Sequence, residues 1–70
     1  MLRVDRGFLF AFSGIVFFNI SCCHARSGAK SRALDCARKA LRIFQAALPP
    51  GHEDIAGAKE LVRKLELAMR

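Results

Sequence analysis

Residues 7–23 (GFLFAFSGIVFFNISCC) pass seventeen positions without a charged side chain, and a run of that kind has few ways to exist in water. It must enter a bilayer, be removed as a targeting segment, or be covered by the rest of the chain. The remainder of the chain is short. Residues 26–70 number forty-five, near the size at which a core fails without help. The chain is 53% hydrophobic and 26% charged, and five of its six phenylalanines fall within residues 8–18, so the apolar excess is local.

Charge is just as unevenly placed. Residues 1–23 carry Arg3 and Arg6 against Asp5, a balance of +1. Residues 24–48 carry Arg26, Lys30, Arg32, Arg38, Lys39 and Arg42 against Asp35, a balance of +5, and residues 49–70 hold four of each sign. The positive field of the +6 chain therefore sits directly after the apolar run, where anionic headgroups or an acidic partner would meet it.

As a helix the run is about 26 Å long, slightly short of a hydrocarbon layer of roughly 30 Å, and Arg6 and Arg26 can snorkel to close the difference. Two cations precede the run and six come after it within about twenty residues, so the positive-inside bias holds the tail in the cytoplasm or matrix. The expectation is a single-pass anchor over residues 1–25, with Arg26, Lys30 and Arg32 at the headgroups. The alternative is a cleaved secretory signal. Arg3 and Arg6 then form the n-region, residues 8–18 the h-region, and Cys23 with Ala25 a small-x-small site, which would release a cationic helical peptide. The opening MLRVDR also suits an organelle presequence.

Three cysteines make no disulfide framework, and a reducing compartment accommodates them more easily. Cys22 and Cys23 fall at the inner edge of the expected span, where cytosolic thiols are acylated, and both are candidates for that modification. Cys22, Cys23 and His24 are consecutive, a spacing that cannot easily turn three ligands onto one metal, and no second pair comes after them. No metal or cofactor is expected. A glycine-rich phosphate loop, a carboxylate pair in a cleft, and a nucleophile beside a base are all missing from the sequence, which is not read as an enzyme.

Beyond the run, helical periodicity is clear and the fold class is all-α. The expected order is an N-terminal hydrophobic helix, then an antiparallel hairpin in residues 26–70 with helices at about 31–48 and 53–69. In the first hairpin helix Ala33, Leu34, Cys36, Ala37, Ala40, Leu41, Ile43, Phe44, Ala47 and Leu48 share one half of the wheel. Asp35, Arg38, Lys39, Arg42 and Gln45 take the other. Ser27 or Ser31 can cap its start, and Pro49 and Pro50 stop it. In the second, Ile55, Ala58, Val62, Leu65 and Met69 recur at steps of three and four, and Glu66 faces Arg70 at i, i+4. Glu53 and Asp54 suit its positive end. A two-helix unit leaves an apolar face uncovered, so Leu41, Phe44, Leu48, Ile55, Val62 and Leu65 are expected to meet a protein partner or a second copy.

Residues 37–62 (ARKALRIFQAALPPGHEDIAGAKELV) resemble the tetratricopeptide repeats of the kinesin light chain type. Ala40, Phe44 and Ala47 match the small, aromatic, small positions of a repeat's second helix. His52, Asp54, Ile55 and Ala56 match the linker that opens the next repeat, with Glu53 where proline is usual and Lys59 where the family has an apolar residue. The resemblance covers about a third of the chain. It implies a scaffold that binds another protein and carries no chemistry of its own.

The resulting expectation is a small single-pass membrane protein whose helical tail docks on a larger assembly as an accessory subunit or adaptor. The secreted peptide, or a repeat fragment freed near Ala25, is the alternative. Nucleic-acid binding is disfavoured, because Phe44, the tail's one aromatic, lies on the apolar half and cannot stack on bases.

Overall fold

A computed structural model describes the backbone of residues 6–69 and the side chains of residues 10–69. Three helices succeed one another: α1 (Arg6–Arg26), α2 (Lys30–Ala47) and α3 (Glu53–Ala68). The described residues contain no strand. The expectations placed on Arg3, Asp5 and Arg70, and on the side chains of Arg6, Phe8 and Leu9, lie outside the described residues.

Helix α1 outlasts the apolar run because nothing interrupts its backbone until Ser27 and Gly28. There the chain takes a left-handed turn at Gly28 (φ 86°), a conformation that glycine adopts without penalty. The Gly28 N–H donates to the Ala25 carbonyl at 3.3 Å and the Ala29 N–H to the His24 carbonyl at 2.8 Å, the paired bonds of a Schellman stop. Ser27 Oγ donates to the His24 carbonyl at 3.1 Å. Ser27 thus closes α1 and does not cap α2, and Ser31 lies inside α2, whose N-cap is Ala29 without a side-chain bond.

At the other end Leu48 is extended (ψ 154°), as a residue before proline prefers. Pro50 and Gly51 (φ 86°) then occupy the centre of a type II turn, closed by the His52 N–H donating to the Pro49 carbonyl at 3.2 Å. His52 is the N-cap of α3: its Nδ1 accepts from the Asp54 N–H at 3.1 Å, and Glu53 with Asp54 places two carboxylates at the positive helix end.

Helix α2 occupies the middle, packing on α1 and on α3. The three lie side by side in a layer of 47 × 23 × 13 Å, little more than one helix thick. Two buried clusters hold them. Ala33, Leu34, Ala37 and Leu65 form the first, joined by Ala25, Leu61 and Val62. Ala40, Phe44, Ile55 and Ala58 form the second, joined by Phe17, Phe18, Leu41 and Leu48. Alanine makes up half of each, so the helices approach closely, and among the described residues Phe44 is the one buried ring at the junction.

The closest approach lies between α1 and α2. A Cβ on Gly14 would stand 2.7 Å from Phe44 Cε1 and 3.0 Å from Ile43 Cγ2, so only glycine lets Phe44 seat there. Farther along, Ser21 is fully buried and its Oγ donates to the Ala33 carbonyl at 2.6 Å, stitching the two helices. Ser21→Ala is expected to lower stability by about 1 kcal/mol, the ordinary net worth of one such bond. An unchanged urea midpoint would mean that side-chain size alone matters at this position.

The spanning helix expected over residues 7–23 requires correction. Among the described residues no helix is long and apolar enough to cross a membrane. Helix α1 is instead a packing member of the fold. One face, with Gly14, Ser21 and Ala25, packs on α2, and Ser13, Asn19 and His24 dilute the rest with polar atoms. The hairpin is accordingly part of a three-helix layer, with the N-terminal helix as its first member.

Candidate interaction surface

Of the six side chains expected to face a partner, Phe44, Ile55 and Leu65 are buried within the chain, at 2%, 7% and 6% exposure. Leu41, Leu48 and Val62 are half-buried at the edges of the same clusters. The cover that the hairpin lacked by itself comes largely from α1, through Phe17 and Phe18 packed against the cluster that contains Phe44. What remains open is a groove of about 310 Å³ above Phe44, lined by Ile15 and Phe18 of α1 and by Glu53, Asp54 and Gly57 of α3. Its floor is apolar and one wall ends in two carboxylates, so it suits an apolar side chain next to a cation.

The outer surface of α2 has the opposite sign. Arg38, Lys39 and Arg42 stand there beside Asp35, Leu41 and Gln45. Arg38 also reaches across to Glu66 of α3 at 3.1 Å, with both side chains about half exposed, an ion pair worth under about 1 kcal/mol. Glu66 is thereby engaged with α2. Lys39 Nζ lies 5.7 Å from the centre of the Phe17 ring, which brings a cation to the flank of α1. Arg26, Lys30 and Arg32 are arrayed around the α1–α2 turn, and all three are exposed.

Compared with family models, with curated proteins and with solved structures, the chain matches none. Its surfaces must therefore be read from their own chemistry.

The most unusual of them is the side of α1 turned away from α2. Phe12, Val16 and Ile20 recur at i, i+4 and i+8 with exposures of 55%, 41% and 39%, while Phe10 and Ile15, on the two flanks of the helix, are as open, at 45% and 43%. Isolated exposed apolar residues are ordinary on protein surfaces, but Phe12, Val16 and Ile20 form a continuous stripe of the kind that marks an interaction site. Cys23 is exposed at the C-terminal end of the same stripe, and Cys22 is half-buried beside it; both are free thiols. Among the described residues no group of three or more His, Cys, Asp and Glu side chains could hold a metal ion.

The packing also constrains how α1 can meet a bilayer. Because α2 lies along it, immersing α1 across the hydrocarbon would carry Lys39, Arg42 and their neighbours in as well. Each such charge costs about 2.5–3.5 kcal/mol at the bilayer centre, more than the exposed side of α1 can return at about 0.3–0.6 kcal/mol per apolar residue. Gly14 and Ser21, which set this packing, have no hydropathy signature to mark them in the sequence. Their signal is instead one of size, as small residues seven apart, with Ala25 four farther on, all on one helix face.

Proposed function

We propose that this chain is a small membrane-associated helical adaptor, an accessory subunit that docks another protein and performs no reaction. The observation that carries the reading is the row of exposed large apolar side chains on α1, Phe12, Val16 and Ile20, which is poorly matched to water. The groove between α1 and α3 supplies a separate protein-binding surface. The tetratricopeptide resemblance supports the same role, with Ala40 and Phe44 packed in the cluster that joins α2 to α3. A stacked array wants about three repeats, so a partner would complete the layer.

Packing of Ala25 against the first cluster supports retention of α1, since cleavage near that residue would uncover Phe44 and Ala33. Cells producing the full chain are expected to yield it in the membrane fraction, unprocessed, and in mild detergent at a mass well above that of one copy. A chain beginning at Arg26 in the medium would establish the secreted alternative. A soluble monomer would overturn both membrane association and the adaptor role.

A further inference from the structure

We propose that α1 attaches the protein to an anionic lipid surface by lying in the plane of the interface, with Phe12, Val16 and Ile20 among the acyl chains and α2 held above the headgroups. The inference rests on the membrane association proposed above and adds its geometry and lipid chemistry.

The occupant is chosen by shape and charge. The stripe lies on the outer side of an edge helix, so it is a convex ridge, not a socket, and it runs through more than two turns with the small polar side chains of Ser13 and Asn19 only at its margins. A lipid interface can accept such a ridge without shape complementarity, and burying it to the depth of the headgroup boundary is the ordinary mode of amphipathic interfacial helices. A second copy fits less well, because two chains of net charge +6 repel.

Electrostatics selects the anionic surface. No Asp or Glu occurs between Asp5 and Asp35, so α1 itself offers no carboxylate to repel phosphate. Arg26 stands at its C-terminal end, Lys30 and Arg32 come just past the turn, and Lys39 stands over Phe17 on one shoulder of the ridge. The opposite shoulder carries Glu53 and Asp54 beside Ile15 and Phe18. With a cation on one shoulder and two acids on the other, the layer tilts so that the Lys39 side approaches the headgroups first and the groove stays open to the aqueous side. Attachment and protein docking can then operate together.

The chain contains no tryptophan, so Val16→Trp provides a single fluorescent reporter on the ridge. With vesicles of phosphatidylcholine plus phosphatidylserine, its emission is expected to shift to the blue and to be quenched by a headgroup-level quencher far more than by one at the acyl-chain ends. Pure phosphatidylcholine vesicles, or raised salt, should weaken binding at least about tenfold. Val16→Asp, on an exposed site, should abolish flotation while retaining the helical circular dichroism of the unsubstituted chain, whereas Leu67→Asp, on the 55% exposed Leu67 of α3, should float normally. Quenching of Trp at position 16 by the deep probe, or equal binding to neutral vesicles, would overturn the in-plane anionic mode and leave membrane association standing. Unimpaired flotation of Val16→Asp would remove the ridge from it. Failure of the unsubstituted chain to bind either vesicle would overturn membrane association itself, with an acidic protein surface then the better occupant.

Discussion

Phe44→Ala is expected to remove roughly half of the protein's stability. The ring is 2% exposed and sits where all three helices meet, beside Gly14 of α1 and in one buried cluster with Ile55 and Ala58 of α3. Truncating a buried phenylalanine costs about 3–5 kcal/mol. A chain of this length commands roughly 4–10 kcal/mol in total. The neighbours Ala40 and Ala58 are too small to collapse into the space. Urea titration monitored by circular dichroism should show the folded baseline shortened or lost, and Phe44→Leu should recover a large part of the stability. A midpoint for Phe44→Ala within experimental error of the parent would mean that the helices do not converge on this ring.

Gly14→Leu is the second large effect, and its sign separates two views of α1. In a helix that stands alone, replacing glycine raises helix propensity by up to about 1 kcal/mol, so the change should stabilise. Against α2, even the first carbon of the new side chain would lie 2.7 Å from Phe44 Cε1 and 2.9 Å from Cδ1. Overpacking of this kind costs about 1–3 kcal/mol, and leucine adds three more carbons with no room prepared for them. The expected result is a net loss of about 2 kcal/mol or more, measured as a lower urea midpoint, with Gly14→Ala losing less. An increase in stability for both variants would show that α1 does not rest on α2 at position 14.

Much of the secondary structure was legible because its causes are local. The apolar half-wheel of α2 contains Ala33, Leu34, Ala37, Ala40 and Phe44, all of which are buried, and Ile55, Ala58 and Leu65 obey the same rule in α3. Pro49, Pro50 and Gly51 announce the turn between them through backbone geometry alone. The placement of α1 was not legible in the same way. Its phenylalanines make it apolar on almost every side, so periodicity does not say which face a neighbour will take. The deciding signal was small size, at Gly14, Ser21 and Ala25, and hydropathy passes over it. The consequence reached the candidate site as well. Phe44 and Leu65 were expected to await a partner because the helix that helps enclose the tail was assigned to the bilayer, while the surfaces now open, the α1 ridge and the groove beside Glu53, depend on where α1 lies.

The serial arrangement of the layer has a kinetic meaning. Its two main seams each join helices that are consecutive in the chain, across connections of three residues (27–29) and five residues (48–52). Few distant segments must find one another, and chains dominated by such local closures fold in microseconds to milliseconds. The α1–α2 pair can also zip before α3 has been synthesised, and so Phe17 and Phe18 need face the cell unshielded only briefly.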